Sequence, residues 1–329
     1  DETVDDINVL VVRNDFDRLD RFAVRRLELF GDLFVPNLLR TLDGHPVFTS
    51  YRATSLGHDV DSPPTSVQDK LKQSTEAIAA WRMVWAQVRN GYDAEICFIA
   101  DLPNGWQYER YEPYRMPRDS VRRLFELWAE AFDGLSHFGV TDTLQEANRY
   151  YAEAAAIAHA RGKVYLAPVY LGYRQHGDGR ILMHGSDLIR GSWELAQRVE
   201  ADAIQVVTWN DYGESSCFIP SIHMGYVPSR LNRYYADRYR RRPEPGRDTL
   251  FLCYRRYPGR PCPADFPDRA VLWNPLDEEI EACVIACAPG QLLVADAEPF
   301  EVGKGLCSIR VPLGSGIPSA QLLRDGEVM

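Results

Sequence analysis

Cysteine pairs, membrane-length apolar runs, lysine and the common cofactor motifs are all scarce or missing in this sequence. Seven cysteines stand at 97, 217, 253, 262, 283, 287 and 307, an odd count with no C-x-x-C. Neither a disulfide framework nor a zinc ribbon is indicated, and Cys283 and Cys287 read as small core residues of an apolar, alternating segment. No apolar run reaches the ~18 residues of a membrane span. No N-x-S/T sequon, H-x-E, HExxH or P-loop occurs, so the sequence calls for no metal and no cofactor. The 37 basic residues comprise only four Lys beside 33 scattered Arg, and 47 acidic residues outnumber them, for a formal charge of −10. Nucleic-acid binders present basic faces, so this balance argues against such a partner. The short run Arg238, Arg240, Arg241 and Arg242 reads as a solvated helix end. The chain opens on Asp1 without a charged n-region and apolar h-region, which predicts that a preceding segment is missing.

What is present is enough for a large core. The 329 residues are 45% hydrophobic and 11% aromatic, too apolar for a disordered chain and long enough for roughly two domains at ~150 residues each. Short apolar runs recur at 7–13, 45–51, 95–101, 132–138, 163–170, 203–209 and 250–254 and read as buried strands. Amphipathic stretches at 70–89, 119–130, 145–161 and 187–199 lie between them, the third ending at Gly162 where a helix C-cap glycine belongs. Strands buried on both faces and alternating with helices predict a parallel sheet.

Both an open doubly wound sheet and a closed (β/α)8 barrel fit that alternation. The first usually needs a glycine-rich turn after its first strand, and here the turn is Asn14-Asp15-Phe16-Asp17. Polar residues instead collect at the C-terminal ends of several strands: Asp15, Tyr51, Asp101, His137, Tyr170 and Asp211. That distribution favours a TIM-type barrel. Seven strands are one short of closure, so the first βα unit is expected to be absent. After about residue 258 prolines 258, 261, 263 and 267 mark a linker, and short alternating strands follow. The expected organisation is a barrel over 1–258 and a small C-terminal β-sandwich over 268–329, packed on it because so small a unit has little core of its own.

The segment Val206 to Ser216 is the richest in chemistry. A buried strand runs straight into Trp209, Asn210, Asp211, Tyr212, Gly213 and Glu214. In an extended chain the Cα atoms of Asp211 and Glu214 would be ~10 Å apart, and a turn at Gly213 would bring them under ~7 Å. Paired carboxylates are what glycosidic cleavage requires: one protonated to help the leaving oxygen depart, the other ionised to activate water or attack the anomeric carbon. Like charges at close range help keep one carboxyl protonated. On spacing alone, Asp211 capping the following helix or turn beside a surface Glu214 is the favoured reading.

The run Trp209-Asn210-Asp211-Tyr212-Gly213-Glu214-Ser215 resembles the signature of the α-1,3-glucanases (mutanases) of glycoside hydrolase family 71. Gly44-His45-Pro46-Val47, Phe98-Ile99-Ala100-Asp101-Leu102-Pro103, Phe132-Asp133-Gly134-Leu135, Tyr254-Arg255-Arg256-Tyr257-Pro258 and the stretch from Val311 to Gly326 resemble further elements of that family, so the likeness runs from about residue 40 onward. The family's usual His after the signature is Ser216 here. The resemblance implies a (β/α)8 barrel with an appended β-sandwich. It also implies endo-type, metal-free hydrolysis of α-1,3-glucan with inversion, with Asp211 and Glu214 as the two catalytic acids; Glu214 is taken as general acid and Asp211 as general base, an order the sequence leaves open.

Other residues fit a glucan groove. Trp106 and Tyr108, in the aromatic loop after Asp101, and Tyr170 and Tyr173 offer faces on which sugar rings stack. Trp209 and Tyr212 are placed to floor a subsite, and Asn210 to orient the acids. Asp101, His137 and Tyr51 stand at strand ends within expected reach of sugar hydroxyls. The polymer cannot cross a membrane, which predicts secretion, while the odd cysteine count and the absence of a signal segment leave the cytoplasm as the alternative. Two alternatives remain at this point: a carbohydrate-binding relative without activity, and an endo-α-mannosidase-like hydrolase acting on another polysaccharide.

Overall fold

Strands buried on both faces can be filled only from both sides, and the N-terminal half of the chain meets that demand with helices. The computed structural model describes residues 45–50, 53–56, 64–91, 95–103, 116–138, 144–174, 180–181, 185–213, 216–221, 224–243, 246–254, 278–314 and 317–329. In chain order the strands are β1 (Val47–Ser50), β2 (Cys97–Asp101), β3 (Gly134–Ser136), β4 (Val164–Tyr170), β5 (Tyr173–Arg174), β6 (Arg180–Ile181), β7 (Ala203–Val207) and β8 (Thr249–Cys253). They continue with β9 (Glu279–Ala286), β10 (Gly290–Val294), β11 (Phe300–Val302), β12 (Gly305–Pro312), β13 (Ala320–Arg324) and β14 (Glu327–Val328). The helices are α1 (Val67–Gly91), α2 (Arg118–Ala131), α3 (Leu144–His159), α4 (Asp187–Arg198) and α5 (Val227–Tyr239). The chain divides into two compact units, Asp1–Val169 with Leu195–Val207, and Tyr170–Glu194 with Thr208–Met329.

The first unit carries a five-stranded sheet in the order β1-β2-β3-β4-β7. The β1–β2, β2–β3 and β3–β4 pairs are parallel. Neighbours in space follow the order of the chain, as in a barrel; a doubly wound sheet reverses direction at a switch point. The result is a parallel half-barrel sheet. The expected first strand, at 7–13, lies outside the described residues. Val121, Leu124, Phe125, Trp128 and Ala129 form the buried stripe of α2, the spacing that sets one face of a helix against a sheet. From α1, Trp81 and Trp85 reach Phe132, with Trp85 edge-on to Phe132 at 4.1 Å and 4.9 Å from Phe98. Gly162, at φ +64°, follows α3 in the left-handed conformation expected of its C-cap.

Carboxylates knit the N-terminal edge of this sheet. Asp133 accepts the Phe98 N–H at 3.0 Å, and Asp202 accepts the Tyr165 N–H at 2.7 Å and lies 3.0 Å from His159 Nε2. In barrels this edge serves stability, the opposite one chemistry.

The second unit departs from expectation in one strand. Residues 250–254 were expected as the seventh barrel strand, but β8 pairs antiparallel with β9, opposite Glu281–Ile285. Its sheet, β12-β9-β8, faces a second one, β11-β10-β13-β14. One apolar cluster draws on both: Ile280, Ala282, Val284 and Ala286 from β9, Leu292 and Val294 from β10, Val302, Val311 and Leu322, with Leu250 and Leu252 of β8 against it. The alternation Leu250, Leu252 versus Phe251, Cys253 is what a sandwich strand needs. The C-terminal part of the chain thus forms small antiparallel sheets, and β8 belongs to one of them. The segment 269–273, expected as a strand, lies outside the described residues.

The other face of β9 carries Glu281 and Cys283, both fully buried. The Glu281 carboxylate accepts the Ser186 N–H and hydroxyl at 2.7 Å each and the Ser308 hydroxyl at 2.6 Å, and pairs with Arg190 at 3.1 Å. Arg190 and Arg310 both hold Asp187 at 2.7 Å. Burial pushes the Glu281 carboxyl up, but the hydrogen bonds from Ser308 and Ser186 and the Arg190 charge outweigh it and leave it below the ordinary glutamate range. This network fastens the start of α4 to the sandwich. Further along, Trp193 stacks on Tyr235 of α5 at 5.9 Å.

Candidate active site

The signature loop begins at Thr208, directly after β7. The backbone turns back on itself. Thr208 N donates to Ser216 O at 2.9 Å, Phe218 N to Thr208 O at 3.0 Å, and Ile219 N to Trp209 O at 3.0 Å. Ser216 N closes the loop by donating to Asp211 O at 3.2 Å, and Tyr212 N donates to Asn210 O at 3.1 Å. A turn is therefore formed at 211–213. Gly213 does not take a left-handed φ, and a Cβ there would make only an ordinary 3.4 Å contact with Asp211 Oδ1, so the turn does not require glycine. Two hydroxyls complete the loop: Thr208 Oγ1 accepts the Asp211 N–H at 3.1 Å and lies 3.1 Å from Ser216 Oγ.

This loop brings together four of the residues singled out from the sequence. Asp211 is half-buried, Asn210 is exposed, and Trp209 and Tyr212 expose 39% and 59% of their surface. Two large aromatics left open beside a carboxylate form a surface that an apolar sugar face can cover, since such rings are normally buried. Burial, and the nearby Asp211 charge, raise the Cys217 thiol above its ordinary value. It thus stays a neutral thiol behind the acid. Glu214, Tyr51, Trp106 and Tyr108 lie outside the described residues.

Asp101, His137 and Tyr170 are each buried. Asp101 is buried at the end of β2, where its Oδ1 accepts the Phe138 N–H. That is the job Asp133 and Asp202 do at the opposite edge. His137, following β3, is fully buried. Its ring stacks on Tyr151 at 5.2 Å and contacts Phe125 at 5.3 Å and Tyr165 at 6.1 Å, so it sits in the layer between sheet and helices. Nδ1 lies 3.1 Å from Leu102 O, while buried Nε2 has no hydrogen-bond partner. A proton there would be an unpaired buried charge, and burial pushes the His137 pKa down to about 4. Tyr170 is fully buried, its backbone bracketed by Ser192 Oγ. Tyr173 is half-buried and pairs with Ile181 in the β5–β6 hairpin.

Two supports of the loop, and one buried carboxylate elsewhere, escaped the reading of the sequence. Thr208 and Ser216 close the loop, and the signal was available as a hydroxyl three residues ahead of the Asp211 amide. Glu281 is that carboxylate, two residues after Glu279 in β9, and a carboxylate must be paired if buried. Among the described residues, no group of three or more His, Cys, Asp or Glu is placed to hold a metal ion, and no helix is long and apolar enough to cross a membrane.

Comparison with known proteins places this arrangement. Mutanase Pc12g07500 of Penicillium rubens is 26% identical over 193 residues, covering 51% of this chain and 43% of that protein. The glucan endo-1,3-alpha-glucosidase agn1 of Schizosaccharomyces pombe is 42% identical over 79 residues, 24% of this chain and 18% of that protein. The chain thus spans less than half the length of either relative. Among solved structures, the GH99 endo-alpha-mannosidase of Bacteroides thetaiotaomicron superposes with a TM-score of 0.47 at 16% identity, over 69% of this chain and 62% of that one. The endo-beta-1,4-mannanase of Cellulomonas fimi, as a double mutant, gives a TM-score of 0.42 at 12% identity, over 94% and 68%. The profile of glycosyl hydrolase family 71 matches residues 74–329, which include the signature loop and the C-terminal sheets, and the chain belongs to that family.

Proposed function

We propose that this protein hydrolyses α-1,3-glucan, using the carboxyl groups of Asp211 and Glu214. The observation that carries the reading is the closed turn that presents Asp211 between exposed Trp209 and Tyr212, within a family-71 chain. The two curated relatives, a mutanase and a glucan endo-1,3-alpha-glucosidase, support the linkage. In this reaction Glu214, protonated, gives its proton to the glycosidic oxygen as the C1–O bond breaks. Asp211, ionised, takes a proton from a water whose oxygen forms the new bond to C1 from the opposite face. The anomeric centre inverts, and both carboxyls exchange their protonation states, to be reset by solvent. Trp209 and Tyr212 stack on sugar rings, and Asn210 orients the acids. Cleavage within the polymer rather than from its ends agrees with a loop that leaves both aromatics open. The substrate is a polymer that no membrane passes, so the enzyme works outside the cell.

Reducing-sugar release from insoluble α-1,3-glucan tests this. Asp211→Asn and Glu214→Gln are each expected to lower turnover by about 10²–10⁴-fold with the melting temperature held. Full activity in either variant would refute the acid pair. Proton NMR of the first product should show the β-anomer; an α-anomer would replace inversion by retention. Binding of the glucan with no release of sugar would instead favour a carbohydrate-binding protein.

A further inference from the structure

We infer that Thr208 and Ser216 are positioning residues for Asp211, a hydroxyl pair that fixes the peptide from which the general base projects; the inference rests on the function proposed above. Both polar groups of the Asp211 backbone are held by these two residues. Its N–H goes to Thr208 Oγ1 at 3.1 Å, and its C=O accepts from Ser216 N at 3.2 Å. The two are joined to each other twice, through Thr208 N to Ser216 O at 2.9 Å and through their hydroxyls at 3.1 Å. Thr208 follows directly on β7, and Ser216 is 1% exposed, so water has little access to compete for the lock. With the backbone held on both sides, only the two side-chain torsions of Asp211 are left to aim its carboxylate.

The Asp211 carboxylate must meet a water on one defined face of the sugar. A misplacement of about 1 Å is enough to cost on the order of 10²-fold in rate. The lock therefore acts on the rate of the chemical step rather than on substrate affinity, which the exposed aromatics supply.

The test compares Thr208→Val, which keeps the branched shape and loses the hydroxyl, with Thr208→Ser, which keeps the hydroxyl, and with Ser216→Ala. Asp211 amide exchange is read by NMR and turnover on α-1,3-glucan by kinetics. In Thr208→Val, exchange should be at least ~10-fold faster, as expected of a locally opened loop. Its kcat should fall about 10²-fold with KM within ~2-fold. Ser216→Ala should move both readouts in the same direction, and Thr208→Ser should stay close to the wild type in both. Unchanged exchange or unchanged kcat in Thr208→Val would overturn the inference. So would a loss of kcat that tracks the melting temperature and is not spared in Thr208→Ser. A wild-type protein that releases no sugar from any α-glucan overturns the proposed function, and the exchange rates then decide the hydroxyl lock by themselves.

Discussion

His137 and Asp101 show how one strand end serves either chemistry or structure. Both stand at C-terminal ends of parallel strands, where barrel enzymes collect functional groups, yet both side chains turn to their neighbours. Phe125, Tyr151 and Tyr165 surround the His137 ring and its Nε2 meets no acceptor, so the folded protein keeps it neutral. With a folded pKa of about 4 against an ordinary 6.5, the unfolded chain binds the proton first as the pH falls. The stability linked to His137 is whole above ~6.5 and is lost as the pH falls toward ~4, amounting to roughly 3 kcal/mol. His137→Phe should flatten the fall in melting temperature between pH 7 and 4. An acid limb as steep as in the wild type would show that His137 is not its source.

The close approach of β3 and β4 depends on one missing side chain. A Cβ on Gly134 would overlap Val164 Cγ2 and come within 2.8 Å of the Val164 carbonyl oxygen. Gly134→Ala is expected to destabilise the first unit by about 1–3 kcal/mol, measured by urea unfolding. Shortening Val164 to Ala in the same chain should not restore the loss, because the carbonyl clash persists. An unaffected midpoint for Gly134→Ala would mean that the strands part freely. The positions of β2, β3, β4 and α2 were readable in the sequence because their burial patterns are local. The need for glycine at 134 was not, because it arises from a strand 30 residues further on.

The pairing of β8 changes where the chain can be cut. A barrel ending near residue 258 would keep β8 but lose β9, to which it is hydrogen-bonded from Thr249 to Cys253. Leu250 and Leu252 would lose the cluster of Ile280, Ala282 and Val284, and Glu281 would be gone from the Ser186–Arg190 network. A chain truncated after Pro258 is therefore expected to aggregate or to lose cooperative unfolding, as read by size-exclusion chromatography and circular dichroism. A monodisperse, cooperatively folded fragment would show that β8 can pair elsewhere.

Segment type and the chemical loop were legible in the linear chain because each depends on near neighbours. Period-3.6 stripes mark α1 to α3, apolar runs mark the strands, and Trp209 to Ser215 form one contiguous motif. The apolar run at 250–254 carries the same local pattern whether its partner runs parallel or antiparallel, so only the pairing with β9 settled its place. Burial likewise depends on everything packed around a side chain. Asp101, His137, Tyr170 and Asp211 all stand at strand ends along the sequence, and only packing decided that the first three are buried while Asp211 is half-buried beside exposed Trp209 and Tyr212.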